Sequence, residues 1–423
     1  MRIISIISLL SVRFLKIVIY YILVSPYLFL RFFVKNPLQI DQLKIFDKLM
    51  LIIIGEIWLF GKQKIDLRNL YENQRVLLSK NFSYKNLLIF MPGQWYTLSP
   101  LESSLTILIS PKQIGYRYLF FLFPYVLYIL LFDESREKIK ANHGISSCLA
   151  LSITFKKYTK ISNYYYYKAI KILRLNSNLF FYNEGSTNYH IFVTSLFKNY
   201  FFLKNKTPLW FNGYKSISKS LIQNCNFFYF GDDDNSQWIY FFRDRKKTIF
   251  AESSISNLLN DKKFKKSVID TFFKLITFKN KKILLCTKGS DWGHAHIMIG
   301  SFMYFIDDYP VVFYKKNGPY TFSKNDRQND RIYSTNSPIN TNLIENIQLA
   351  FFKKLPYRLC KNINYSIDGK KISIELNDCK RIIDMGGEIL KVQDSSSKQI
   401  KIKTTLSSSN QSKYLEYINL TNL

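Results

Sequence analysis

The chain has 423 residues, 47% of them hydrophobic, and its 60 Lys and Arg outnumber 30 Asp and Glu to give a formal net charge of +30. That length and apolar content exclude a wholly disordered chain and leave room for two or three domains, while the charge excludes basic partners and favours phosphate, in nucleic acid or in lipid headgroups. The five cysteines, Cys148, Cys225, Cys286, Cys360 and Cys379, form no CxxC pair, which excludes a zinc ribbon or a disulfide framework and fits a reducing compartment.

Phe (36) and Tyr (30) are abundant and Gly (15) is scarce. Lys, Asn, Ile, Phe and Tyr are favoured by codons rich in A and T, so part of the basic and aromatic excess is mutational.

The first 34 residues are almost wholly apolar, with an uncharged run from Ile17 to Leu30 between Arg13 and Lys16 on one side and Arg31 on the other. As a helix that run rises about 21 Å, short of a hydrocarbon core of about 30 Å. A span therefore requires Arg13, Lys16 and Arg31 to snorkel, or the helix to continue through Val34. Tyr27 to Phe33 offers no small-residue cleavage site, and the segment is neither amphipathic nor Ser-rich like a transit peptide, so a retained membrane helix is expected. Arg13, Lys16, Arg31 and Arg117 are its candidate anchors at headgroup depth. Leu49 to Phe60, interrupted by Glu56, and Tyr118 to Phe132, carrying Pro124, are two further candidate membrane contacts, and a buried core helix is the other reading of the second.

Beyond residue 135 the apolar runs are too short to cross a bilayer. Phe227 to Phe230, Trp238 to Phe242 and Met303 to Ile306 are aromatic and β-branched, as strands are. Asp261 to Phe278 repeats apolar residues at helical spacing through Phe264, Val268, Phe272 and Ile276. Asp368-Gly369 between two alternating runs predicts a hairpin with a type I′ turn. Ile389 to Val392 and Gln399 to Ile402 add strands joined through Asp394-Ser-Ser-Ser397, before a Ser- and Asn-rich flexible tail. The expected fold class is α+β, with N-terminal membrane helices followed by a mixed α+β soluble domain and a C-terminal β-hairpin region. The expected divisions are a membrane-associated helical region over 1–135, an α+β domain over 136–355, a β-rich module over 356–405 and a flexible tail over 406–423.

Candidate chemistry is sparse. His294 and His296, in Asp291-Trp-Gly-His-Ala-His296, would point to one face of a strand, and Asp307 and Asp308 would complete a metal site after a turn. No other pair has ligand spacing, so surface or interface histidines are the expectation and no metal site is assigned. Asp232-Asp233-Asp234 lacks the Gly and distal Glu of a calcium loop and reads as a solvated turn near Arg243 or Arg245. Cys286 precedes His294 but lies in the apolar Ile283-Leu-Leu-Cys286, as an inert core thiol does. With no GxSxG, GxGxxG or GxxxxGK[ST], neither catalysis nor a cofactor is expected. Basic and aromatic residues interleave from Phe155 to Lys168 and from Phe197 to Lys206, a pattern suited to stacking on unpaired bases with phosphate neutralisation, and equally to packing against neighbouring subunits or lipid.

In composition over its whole length and in its short N-terminal apolar segments, the chain resembles the lineage-specific, mitochondrially encoded proteins of ciliate-type protists. That resemblance implies either an accessory subunit of a respiratory complex or a mitoribosomal protein. Arg174 is flanked by Lys171 and polar residues, unlike the membrane-helix Arg of an ATP synthase proton channel, and the paired cysteines of a copper-binding oxidase subunit are missing. The leading expectation is a non-catalytic accessory subunit of a mitochondrial inner-membrane respiratory-chain complex, oxidase or complex I, partnered by other subunits and by anionic lipids such as cardiolipin. The alternative is a mitochondrial ribosomal protein binding rRNA through its basic surface. A third class is a membrane-bound enzyme using the region of His294 and His296.

Overall fold

The computed structural model describes residues 15–16, 18–27, 108, 123–124, 126–127, 129–131, 141–182, 186–223, 228, 259–288, 299–312, 363–376, 379–396 and 415–421. The chain divides into two compact units, one of 1–175 with 195–207 and one of 176–194 with 208–423.

In the first unit, α1 (Ala141–Thr154) is buried around almost its whole circumference, as its apolar and small residues require. The helix α2 (Thr159–Leu175) is one-sided, burying Ser162, Ala169, Ile170, Ile172 and Leu173. Buried hydroxyls join these helices to α3 (Thr187–Leu203): Ser162 Oγ donates to the Ser152 carbonyl at 2.8 Å, and Ser152 Oγ lies 2.8 Å from Tyr200 Oη. Each buried hydroxyl thereby recovers a partner lost with water.

The second unit layers helices and two sheets. Strands β1 (Ser177–Asn178) and β2 (Phe181–Tyr182) pair as a short ribbon before α3. A 3₁₀ turn (Leu209–Phe211) leads into α4 (Asn212–Gln223). Asp261 then caps a helical stretch made of α5 (Lys262–Phe264), a π turn (Lys265–Ile269) and α6 (Asp270–Phe272). Four antiparallel strands follow in order: β3 (Phe273–Phe278), β4 (Lys281–Cys286), β5 (Phe302–Ile306) and β6 (Tyr309–Val312). The second sheet has the order β11-β10-β9-β8-β7, from β7 (Asn364–Asp368), β8 (Lys371–Leu376), β9 (Cys379–Asp384), β10 (Leu390–Ser396) and β11 (Leu415–Thr421).

The four-stranded sheet is covered on both faces, because alternate residues of each strand point opposite ways. Leu284, Cys286, Met303 and Phe305 pack with Ile217, Leu221, Phe264 and Val268 of the helices. Ile283, Leu285, Phe302 and Tyr304 pack with Ile372, Ile374, Ile383, Leu390 and Val392 of the five-stranded sheet. The inward face of that second sheet also carries an ion pair. Arg381 and Asp394 are directly opposite each other on β9 and β10 and both side chains are 0% exposed. Arg381 Nε and Nη2 each donate at 2.7 Å to a different Asp394 oxygen, Nη1 donates to the Gly300 carbonyl at 2.9 Å, and the guanidinium lies over the Phe302 ring. Lys281 Nζ donates to the carbonyls of Met385 and Gly387, a second polar tie between the sheets.

Several expectations need correction. Among the described residues no helix is long and apolar enough to cross a membrane, so the N-terminal membrane-helix region, and with it the transmembrane and respiratory-chain description, is not supported. The described helical residues 18–27 bury Tyr20, Val24 and Tyr27, one helical face, with Tyr27 stacked on Phe123. Lys16 is half-buried beside it, whereas Arg13, Arg31, Arg117 and the run Leu49–Phe60 lie outside the described residues. The helix expected over Asp261–Phe278 stops at Phe272, where Phe-Lys-Leu-Ile-Thr-Phe becomes β3, because aromatic and β-branched residues suit a half-buried sheet edge. The hairpin turn sits one residue later than expected: Asp368 pairs with Lys371, and Gly369 alone of the two expected turn residues takes a positive φ, +53°. Asp394 to Ser396, expected in a linker, lies within β10, and 415–421, expected in a flexible tail, forms β11 parallel to it. Strands expected over 227–230, 238–242 and 399–402 fall largely or wholly outside the described residues.

Candidate functional site

Four consecutive tyrosines, Tyr164 to Tyr167, occupy the middle of α2, and a 100° step per residue sorts them into two pairs. Tyr165 and Tyr166 turn inward. Tyr166 stacks on Tyr200 at 5.4 Å and 9°, and meets Phe201 edge-on, while Tyr165 stacks on Phe155. Burial pushes the Tyr166 phenol up to about 12, so it stays neutral. Tyr164 and Tyr167 turn outward and are 62% and 65% exposed.

The outward pair lies on a cationic stripe. Lys160, Tyr164, Tyr167, Lys171 and Arg174 are spaced by four, three, four and three residues, so all five fall within about 40° of one line along the helix and span about 21 Å. All five are exposed. On the inward side of α2, Lys204 sits over the Tyr200 ring at 5.7 Å, and partial burial, with a smaller effect from Lys156, pulls its ammonium below the usual lysine range. Charge is one-sided throughout this part of the sequence: residues 141–223 contain eleven Lys and Arg and a single acid, Glu184.

The two interleaved stretches therefore differ. The first presents Tyr158, Tyr164, Tyr167 and most of its cations to solvent, whereas the second is mostly core, with Phe197, Tyr200 and Phe201 buried and Lys198, Lys204 and Lys206 exposed. Interleaving alone does not separate these outcomes, since helical phase and the partner helix decide which aromatics face out.

The remaining candidates form no site among the described residues. His294, His296 and Asp232–Asp234 lie outside them, and no group of His, Cys, Asp and Glu that would hold a metal ion occurs within them. Asp307 and Asp308 make the β5–β6 turn at positive φ, with Asp308 paired to Lys282 and Asp307 accepting from Asn280. Cys286 is buried, and burial pushes its thiol up to about 12. His190, for which the sequence carries no spacing signal, is fully buried, with its ring stacked on Phe181 at 4.9 Å and on Tyr214 at 6.4 Å. Its Nδ1 accepts from the Tyr182 backbone N–H at 3.0 Å, and burial holds it down at about 3, so the ring is neutral.

No family model matches this chain, and no curated protein matches it. Among solved structures it is similar to a crystal structure of heparinase III, at 13% identity and a TM-score of 0.38, over 78% of this chain and 63% of that one. It is also similar to heparan sulfate lyase HepC from Pedobacter heparinus, at 12% identity and a TM-score of 0.35, over 85% of this chain and 71% of that one. The chain thus spans less than two thirds of the length of the heparinase III chain, and at these TM-scores the likenesses establish no common fold.

Proposed function

We propose that this chain binds an acidic polymer, and that the polymer is RNA, in keeping with a mitochondrial ribosomal protein. The observation that carries the reading is the one-sided charge of the first unit's helices, nine Lys and Arg and no acid over 141–175 and 195–207, displayed on a packed helical scaffold and set within a chain of net charge +30. A packed scaffold holds its cations at fixed spacing, and neutralising a polyanion then releases condensed counterions. Among the described residues no helix is long and apolar enough to cross a membrane, and the charge is better matched to phosphate in RNA than to headgroups beside a span.

The test is a binding titration of the full chain against ribosomal RNA fragments, heparin of matched charge, and vesicles with anionic headgroups, each over a salt series. RNA should bind, with log K falling linearly in log salt at a slope of about −0.7 per neutralised phosphate on single strands. Heparin binding that exceeds RNA at every salt concentration moves the assignment to an acidic polysaccharide, and preferential vesicle binding moves it to a membrane surface.

A further inference from the structure

We infer that the outward face of α2 is a stacking platform for unpaired RNA, with Tyr164 and Tyr167 each taking a base and Lys160, Lys171 and Arg174 taking the flanking phosphates. This rests on the RNA reading above and adds the strand state and the contact surface to it.

The order of residues along the stripe carries the argument. The cations lie at its two ends and the two phenol rings lie between them, about 4.5 Å apart along the helix axis. An aromatic face is electron-rich and repels an anion placed over it. The centre of the stripe therefore favours a flat, neutral ring with its charge displaced to either side, which describes a nucleotide: an uncharged base on a charged backbone. A sulfated or uronic sugar bears its sulfate and carboxylate directly on the sugar ring, so its charge lies at the rim of the stacked unit and not displaced along a backbone. A duplex hides its base faces in the stack, so only an unpaired segment offers them.

Rigidity supports the same reading. Tyr165 and Tyr166, on the opposite side of the same turn, are clamped by stacking on Phe155 and Tyr200, and the hydroxyls of Ser152, Ser162 and Tyr200 bond beneath them. The outward pair is thus carried on a helix that does not need to order on binding.

The experiment uses the full chain and a fluorescein-labelled twelve-nucleotide oligouridine, with its duplex with oligoadenine as comparison. Wild type should bind the single strand in preference to the duplex. Tyr164→Ala with Tyr167→Ala should weaken single-strand binding by about tenfold for each ring removed, within the range stacking contributes, and leave duplex binding unchanged. Tyr164→Trp with Tyr167→Trp should retain or tighten it. Lys160→Gln, Lys171→Gln and Arg174→Gln together should flatten the salt slope by about 2, from three phosphates at about 0.7 each. All substituted positions are exposed, and an unchanged far-ultraviolet circular dichroism melt verifies the fold. If wild type binds RNA with the expected salt slope but the alanine pair binds oligouridine as tightly as wild type, or the duplex competes equally, the stacking platform is overturned and the RNA reading survives. If wild type binds neither RNA, both fall together.

Discussion

Arg381 and Asp394 show what one buried residue pair demands of a fold. Each charge has left water completely, and the cost is offset by two parallel hydrogen bonds between them and a third to the Gly300 carbonyl. Removing one partner strands the other, so Arg381→Met or Asp394→Asn should lower stability by about 3–5 kcal/mol, read as a shift of the urea midpoint. The double change Arg381→Met with Asp394→Leu should recover much of that loss, because two apolar side chains avoid both desolvation costs. His190 acts at the same scale through protonation. Its folded value of about 3 lies below the ordinary histidine value of 6.5, so between those values the unfolded chain binds a proton that the folded chain refuses. Stability conferred by neutral His190 is complete above about pH 6.5 and is lost as pH falls toward 3, at up to about 1.4 kcal/mol per pH unit. Urea midpoints measured from pH 7 down to pH 4 should fall more steeply in wild type than in His190→Gln.

At the scale of elements, the helical stretch that begins at α5 depends on Asp261. Its Oδ1 accepts from the backbone N–H groups of Lys263 and Phe264, and its Oδ2 accepts from Ser216 and Ser220 of α4. Partial burial pushes this carboxyl up, but these four hydrogen bonds outweigh it and hold it below the usual carboxylate range. Asp261→Ala should cost about 1–2 kcal/mol as a lost cap, read by thermal melting, with Asp261→Asn retaining most of it. Gly213 sits where α4 passes under Phe180, and a Cβ there would come within 2.3 Å of that ring. Gly213→Ala should therefore lower the melting temperature, whereas Gly386→Ala meets only the flexible end of Lys370 and should cost less.

Elements were legible where local chemistry and burial agreed. The β5 strand lies over its aromatic run, and the β7–β8 hairpin forms around Gly369. Legibility failed where tertiary pairing overrode local preference. Asp394-Ser-Ser reads as a linker because those residues disfavour strands, yet the Arg381 partner and ladders to β9 and β11 on either side hold it extended. The apolar stretch over 18–27 reads as lipid-facing because its periodicity is concealed among apolar neighbours, and only packing shows Tyr20, Val24 and Tyr27 as its buried face.

Charge governs the behaviour of the whole molecule. At +30 the folded chain repels itself, and compaction brings like charges closer than the unfolded ensemble does. Raising ionic strength from about 0.01 M to 0.15 M shortens the screening length from about 30 Å to about 8 Å, so the melting temperature should rise with sodium chloride over that range. At Lys204, partial burial and, to a smaller extent, the charge of Lys156 pull the ammonium below its ordinary value.

Sequence by itself determined the quantities that add along a chain: the excess of cations, the abundance of tyrosine and phenylalanine, and the phase that turns Tyr164 and Tyr167 to the side of α2 opposite Tyr165 and Tyr166. The tertiary structure alone decided which of those sides met a partner, that Arg381 and Asp394 would face each other in the dark between two sheets, and that the described N-terminal helix would bury one face in protein. Composition and helical phase are properties of neighbours in sequence, whereas burial depends on residues about a hundred positions away, and no local pattern carries that information.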